Sequence, residues 1–340
     1  MKHITLSIII VTLNRVNELI KCINSIYNQD IENFEIIIVD NNSSDQTSYI
    51  IKNKFPNIRV YKTEKNLGTS YTRNAAINLS NGEKILFLDS DVYIKDNNTL
   101  SNMINKLDNN IHVLGGEAII SEQNIIIGKK RLKLYENGMV KGFIDNEKKM
   151  KEVDVLATCN LLTKKKYLED VGGFDHYFFF YLEDLDLTYR MKKKGYNLYV
   201  IDECKIVHYF SPKTRFNNYF KSSRNRVYFL IKNFKLINVL LLPINDLFYL
   251  FSINSIKKFY NKLIENRNLE NYRIIKTKKK FSFFNLLHTL NATILLMVSL
   301  IFSYIYIPYY LLLNKKRKNG KNFLDLVNLN DFVEIKLSEK

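Results

Sequence analysis

Two groups of carboxylates and one histidine are the residues of this chain best placed to do chemistry. Ile85-Leu86-Phe87-Leu88 runs straight into Asp89-Ser90-Asp91. Four apolar residues in a row read as a buried strand of a parallel sheet. Two charges that follow such a strand cannot be buried unpaired without a cost of several kcal/mol. They belong at the strand's end, facing water or a cation. In open α/β sheets the carboxyl ends of the strands are where ligands bind. An Asp-x-Asp there offers hard oxygens to Mg²⁺ or Mn²⁺, which take one or two carboxylates together with substrate phosphates. Alone, the pair reads as readily as a polar turn with a helix cap.

The second acidic group is Glu183-Asp184-Leu185-Asp186, directly after the aromatic run Phe178-Phe179-Phe180-Tyr181. Aromatics exclude water, and residue 183 onward has the pattern of a helix that ends at Lys194-Gly195. Glu183 and Asp184 fall in its first turn, where the helix dipole favours carboxylates. Asp186 is accounted for by pairing with Arg190 at i,i+4. Two adjacent acids beside so many aromatics are not. His208 lies inside an apolar segment, and taken alone it reads as a core histidine.

The elements that must carry these residues alternate. Strands are expected at 6–11, 34–39, 59–61 and 84–88, with helices at 16–29, 46–54 and 69–79 between them. The polar cluster 40–45 ends the second strand and caps the helix after it. Strands alternating with helices predict a doubly wound, mostly parallel sheet. Neither a Gly-x-Gly-x-x-Gly nor a Gly-x-x-x-x-Gly-Lys-Ser/Thr occurs, so phosphate must be handled in another way, with a metal on Asp89 and Asp91 as the candidate. Beyond residue 91 the pattern is less regular. Helices are expected at 99–107 and 165–171, and strands at 112–120, 124–127, 155–162, 197–201 and 206–210. Residues 128–151 have no clear period and read as a loop.

Charge is unevenly spread. The net charge is +17, and residues 221–340 hold 21 of the 51 Lys/Arg but only 7 of the 34 Asp/Glu. A basic C-terminal third seeks a polyanion, either nucleic acid or an anionic membrane surface. The three cysteines, Cys22, Cys159 and Cys204, lie in apolar segments without metal-ligand spacing, which suits a reducing compartment. The apolar stretch 4–11 is too short for a signal-peptide core, so the catalytic part is expected in the cytoplasm.

Taken in series, these segments resemble the inverting nucleotide-sugar glycosyltransferases of family 2, in their rhamnosyltransferase-like branch of bacterial and archaeal surface-glycan enzymes. The resemblance rests on Ile9-Ile10-Val11-Thr12-Leu13-Asn14-Arg15, Ile38-Val39-Asp40-Asn41-Asn42-Ser43-Ser44-Asp45, Asn66-Leu67-Gly68 with Arg73-Asn74, and Leu88-Asp89-Ser90-Asp91. It continues through Gly172-Gly173-Phe174-Asp175, Glu183-Asp184-Leu185-Asp186-Leu187 and His208. The motifs appear in the family's order over roughly residues 5–210. The resemblance implies the GT-A fold, a Rossmann-like α/β architecture. It implies that Thr12, Asn14 and Asp40 line the nucleotide pocket, with Asp40 accepting from the base. Arg73 would lie near nucleotide and sugar, Asp89 and Asp91 would hold Mg²⁺ or Mn²⁺ on the diphosphate, and His208 would add a metal contact. Asp184, beside Glu183, would be the general base. Leu13 departs from the family, many members of which carry a base-stacking Tyr there. The implied donor is a UDP-, dTDP- or GDP-sugar, and the implied acceptor is a glycan or lipid-linked glycan.

The chain then divides into a glycosyltransferase domain at 1–215 and a helical, membrane-associated region at 216–340. Residues 281–314 carry no charge over 34 positions, long enough to span a bilayer, and Lys315-Lys316-Arg317-Lys318 follows. Residues 257–280 carry nine Lys/Arg against two acids, so two full spans would break the positive-inside bias. An in-plane or re-entrant arrangement at the cytoplasmic face of the membrane keeps every basic segment inside. Two other readings compete: a nucleic-acid-binding protein using the basic tail, and a sugar-nucleotide-binding protein without catalysis. The tail's charges flank apolar runs and do not line one polar face, which counts against nucleic acid. The intact Glu183-Asp184 counts against loss of catalysis.

Overall fold

The computed structural model describes residues 4–108, 110–122, 125–129, 131–134, 140–143, 150–209, 219–240, 301, 304–305, 307–317 and 322–337. These fall into two compact units, the first containing 1–134, 140–210 and 320–340, the second 135–139 and 211–319.

The first unit begins with strict alternation: β1 (Leu6–Thr12), α1 (Val16–Tyr27), β2 (Phe34–Asp40), α2 (Thr47–Lys54), β3 (Arg59–Thr63), α3 (Thr69–Leu79) and β4 (Lys84–Asp89). β1 pairs in parallel with both β2 and β4, and β2 pairs in parallel with β3. β1, β2 and β4 are largely apolar on both faces because each face is covered. Ile8, Ile10, Ile38, Leu86 and Leu88 pack with Leu19, Ile23 and Ile26 of α1. Ile9, Ile37, Val39, Ile85 and Phe87 pack with Ala75, Ala76 and Ile77 of α3.

Beyond β4 come β5 (Val92–Ile94), α4 (Thr99–Lys106), β6 (Val113–Glu122) and β7 (Ile125–Lys129). β8 (Arg131–Leu134) and β9 (Val140–Phe143) form a two-stranded antiparallel sheet of their own, in the stretch read from sequence as a loop. β10 (Lys151–Glu152), β11 (Asn160–Lys164), α5 (Lys165–Asp170), α6 (Glu183–Lys193) and β12 (Leu198–His208) follow. The main sheet runs β10-β12-β6-β11-β4-β1-β2-β3 and ends at β13 (Phe332–Glu334). β11 lies antiparallel between β4 and β6, while β6 and β12 are parallel. The sheet is therefore mixed rather than mostly parallel. β11 can run antiparallel to β4 because no single crossover helix joins the two, so the right-handed parallel rule does not bind them. The two strands expected at 197–201 and 206–210 are one strand, β12, whose register on β6 shifts between Ile201 and Ile206.

A second difference lies at the C-terminus. Residues 322–337, expected within the membrane-associated region, belong to the first unit. β13 pairs antiparallel with β3 through Phe332–Thr63 and Glu334–Tyr61, and Ile335 N–H donates to the Val60 carbonyl at 2.8 Å. Without β13 the outer edge of β3 would present unpaired backbone groups. The same segment crosses α3. Tyr71 Oη donates to Asp331 at 2.7 Å and accepts from Asn328 N–H at 2.8 Å, and Asn78 Nδ2 donates to the Leu324 carbonyl at 2.9 Å.

The second unit contains α7 (Tyr219–Asn233), α8 (Leu236–Leu240) and α9 (Ile307–Arg317). Tyr228 of α7 and Tyr310 of α9 are fully buried, with ring centroids 5.5 Å apart. Most of the uncharged run 281–314 lies outside the described residues. Among the described residues, no helix is long and apolar enough to cross a membrane.

Candidate active site

The carboxyl ends of β1, β2 and β4 meet on one side of the sheet. Asp89 closes β4, and Asp91 opens the turn into β5. β5 pairs antiparallel with β12 so that Val92 faces His208, and Tyr209 N–H donates to the Asp91 carbonyl at 2.9 Å. This pairing brings His208 Nε2 to 3.0 Å from Asp91 Oδ1 and 3.7 Å from Asp89 Oδ2. One ligand atom from each of the three residues lies within 4.8 Å of the others. Two carboxylates and an imidazole suit a divalent cation such as Mg²⁺ or Mn²⁺ and leave coordination positions for phosphate oxygens.

The electrostatics of this corner favour positive charge. Burial alone would push His208 down, but its hydrogen bonds to Asp91 and Cys159 and the Asp89 charge raise its pKa well above the ordinary value. Burial pushes Asp91 up, but His208 and Arg15 outweigh it and hold the carboxyl below its usual range. Arg15 Nη1 lies 2.7 Å from Asp91 Oδ2. The arginine is part of the β1 motif, yet nothing in its neighbours along the chain marks it as a partner for a residue 76 positions away.

Thr12, Asn14 and Asp40 build the adjoining rim. Asp40 is fully buried, and its oxygens serve the loop and helix that follow it: Oδ1 accepts from Ser43 N–H at 2.8 Å and Oδ2 from the Ser48 hydroxyl of α2. Asn14 sits at φ 53°, its backbone N–H donates to Ser43 Oγ at 2.8 Å, and its side-chain oxygen accepts from Ser44 N–H at 2.7 Å. The Thr12 hydroxyl is buried without a hydrogen-bond partner among the described residues. Asn41, at the end of β2, ties this rim to the next loop by accepting from Leu67 N–H at 2.8 Å.

The second acidic group stands at the start of α6. The chain reaches it through Phe179, Tyr181 and Leu182, all at positive φ of 58°, 74° and 67°. Non-glycine residues there are strained and persist only when their surroundings over-determine them. Those surroundings are visible. Thr69 N–H donates to the Phe179 carbonyl at 2.6 Å, and a Cβ on Gly68 would come within 2.5 Å of the Phe179 ring. Glu183 is buried, with Oε2 unpartnered among the described residues, while Asp184 is half-buried and its Oδ1 accepts from Leu185 N–H at 2.8 Å. Burial raises both carboxyls above their ordinary pKa; for Glu183 the Asp184 charge adds to burial, and Arg73 opposes both. Asp186 has the structural part read from sequence: it pairs with Arg190 at 2.8 Å, and Arg190 also donates to the carbonyls of Val171 and Gly173, each at 2.6 Å.

Arg73 joins the two acidic groups. From α3 its Nη1 lies 2.9 Å from Glu183 Oε1 and its Nη2 3.1 Å from Asp89 Oδ1. Its neighbour Asn74 was visible in sequence only as part of the motif. Here its side chain accepts from Phe174 N–H and donates to the Phe174 carbonyl, both at 2.8 Å, and so fixes the Gly172-Gly173-Phe174 turn. Gly173, at φ 71°, leaves room for that amide, since a Cβ there would meet Asn74 Oδ1 at 2.6 Å.

Residues 7–172 match the model of the family described as "Glycosyl transferase family 2". Its span takes in the β1 and β2 motifs, Arg73 and the Asp89/Asp91 pair. Residues 7–172 carry a glycosyl transferase family 2 domain. An uncharacterised glycosyltransferase of Methanocaldococcus jannaschii is 28% identical, over 66% of this chain and 83% of its own length. The GalNAc(5)-diNAcBac-PP-undecaprenol beta-1,3-glucosyltransferase of Campylobacter jejuni is 35% identical over 35% of this chain and 40% of that protein. Among solved structures, GalNAc-T7 with UDP, GalNAc and Mn²⁺ superposes with a TM-score of 0.54 at 14% identity, covering 67% of this chain and 48% of that one. At that identity the likeness is one of fold: a GT-A-like α/β architecture with a mixed sheet. The chain spans 12%, 83% and 62% of the first three curated relatives that it matches. The family 2 motifs thus lie on the strand ends and helix starts where this fold gathers its acidic residues.

Proposed function

We propose that this family 2 chain is an inverting glycosyltransferase that moves a hexosyl or deoxyhexosyl group from a UDP-, dTDP- or GDP-sugar to a hydroxyl of a glycan or lipid-linked glycan. The observation that carries the reading is the Arg73 bridge, which sets a cation-seeking corner and a base-like corner on either side of one guanidinium. Inverting transfer needs those two functions on opposite sides of the sugar. Asp184 takes the proton of the acceptor hydroxyl as its oxygen attacks the anomeric carbon. The bond from that carbon to the diphosphate breaks with its electrons, and the nucleoside diphosphate leaves. Asp89, Asp91 and His208 would hold Mg²⁺ or Mn²⁺, which when bound neutralises the leaving diphosphate. Glu183 holds Arg73, and the strained Phe179–Leu182 approach keeps both acids at the helix start. Thr12, whose buried hydroxyl has no partner among the described residues, and Asn14 flank the nucleotide, with Asp40 holding the rim beneath it.

We further propose that the chain works at the cytoplasmic face of a membrane, where lipid-linked acceptors lie and where the basic C-terminal third meets anionic lipid. The relative from C. jejuni, named for a polyprenyl-diphosphate-linked substrate, supports that acceptor class. The test is a panel of nucleotide sugars scored by thermal stabilisation with and without Mn²⁺, since a tight donor raises the melting temperature by mass action. A metal-dependent shift with one sugar nucleotide is expected. No shift with any donor would overturn the assignment of substrate.

A further inference from the structure

α9 buries one side and exposes large apolar side chains on the other. Tyr310 is fully buried against Tyr228 of α7. On the opposite side, Ile301, Ile305, Tyr309 and Leu312 are 59%, 64%, 52% and 63% exposed. Ile301 and Ile305 are helical too, and the four positions are spaced by four, four and three residues, which places them along one stripe of a helix. Isolated apolar side chains on a surface need no explanation, but several large ones at the spacing of one helix face mark an interaction site. No charge interrupts the sequence from 301 to 314, and Lys315-Lys316-Arg317-Lys318 follows at once.

We propose that this outward face of α9 lies in the plane of an anionic bilayer, with Ile301, Ile305, Tyr309 and Leu312 at the boundary of headgroups and acyl chains. The basic run 315–318 follows directly in sequence and supplies the charge that anionic lipid complements. Charge decides the occupant: residues 221–340 hold 21 Lys/Arg against 7 Asp/Glu, so a second copy would bring like charge, whereas an anionic lipid surface complements it. In-plane helices are recognised by this combination of an apolar stripe and clustered Lys/Arg, and Tyr suits the interface by its amphipathic ring. This inference rests on the membrane reading above and names the surface that does the binding.

The chain contains no tryptophan, so a single introduced indole reports its own surroundings. Ile301→Trp, Tyr309→Trp and Leu312→Trp would be made one at a time in the full-length protein and mixed with vesicles of phosphatidylcholine and phosphatidylglycerol brominated at shallow or deep acyl positions. All three should shift to the blue on vesicle addition and be quenched equally by the shallow label. Positions 301 and 312 are about 16 Å apart along a helix axis, so quenching at clearly different depths would mean a spanning helix and overturn the in-plane assignment. Ile305→Glu with Leu312→Glu should lower vesicle partitioning on the order of tenfold for each side chain, at an unchanged melting temperature. Gln at all four of 315–318 should remove the preference for phosphatidylglycerol. If the full-length protein sediments with vesicles but the indoles do not respond, the contact lies elsewhere in the chain; the α9 assignment falls and the membrane reading stands. If the protein ignores vesicles, both fall. A blue shift that follows protein concentration in the absence of vesicles would show a second copy on this face and overturn the lipid assignment.

Discussion

The two acidic corners of the site contain the same kind of side chain in opposite surroundings. At the Asp89/Asp91 corner, His208 and Arg15 crowd the carboxylates with positive partners, and Asp91 is held in its ionised form. At the Glu183/Asp184 corner, burial outweighs one shared arginine, with the Asp184 charge adding to it at Glu183 and the Asp89 charge at both, and both carboxyls are pushed towards holding a proton. A carboxylate that must stay charged to bind a cation belongs in the first setting. One that must accept a proton during turnover belongs in the second. Environment, not residue type, would separate the two proposed roles, as in other enzymes that use two carboxylates at once.

The sharpest way to break this comparison is to neutralise one corner at a time. Asp184→Asn should lower turnover on the order of 10²–10⁴-fold while leaving donor-induced thermal stabilisation intact. Asp91→Asn and His208→Ala should do the reverse, weakening donor binding and raising the Mn²⁺ concentration needed for half-maximal activity. Equal behaviour of the three variants in both assays would dissolve the distinction between the corners.

Arg73→Met removes the charge that both corners share. It leaves Glu183 buried with no cation, so a loss of about 3–5 kcal/mol in unfolding free energy is expected, read from urea midpoints. Glu183→Gln in the same background should restore much of that loss, because the uncompensated charge is gone.

The raised carboxyls also set a pH signature. Glu183 has a folded pKa above its unfolded value, so between those two values the folded protein holds more protons than the unfolded chain. Stability therefore falls as pH rises through that window. Glu183→Gln should flatten this slope, as measured by melting temperature across the acid range. Turnover should fall in the opposite direction, as acid protonates the proposed base Asp184, with a midpoint above the ordinary Asp value. A midpoint at the ordinary Asp value would show that burial does not govern the base.

The smallest effect concerns how α3 is held. Tyr71→Phe removes the hydroxyl that clasps Asp331 and Asn328 and should cost about 1 kcal/mol in stability. Deleting 322–337 should cost more, because β3 becomes an open edge. A deletion variant with unchanged stability and activity would separate the C-terminal segment from the Arg73 bridge.

Much of this molecule was legible in the sequence. β1 through β4 follow from alternating apolar runs and turn residues, since strand and helix periods are local properties of a dozen residues. Asp89, Asp91, Glu183 and Asp184 could be picked out because charge directly after an apolar or aromatic run is costly unless something receives it. The Asp186–Arg190 pair followed from helical spacing. Other features could be decided only by tertiary structure. The antiparallel insertion of β11 and the single bulged strand β12 depend on which strands lie side by side, which periodicity does not encode. Arg15 meets Asp91 across 76 residues and Tyr71 meets Asp331 across 260. A short segment such as Phe332–Glu334 has no distinctive pattern, and it becomes a strand because β3 offers it an unpaired edge. The Arg73 bridge belongs to the same class: its three residues sit on three different elements, and only the packed sheet brings one guanidinium within reach of both acidic corners.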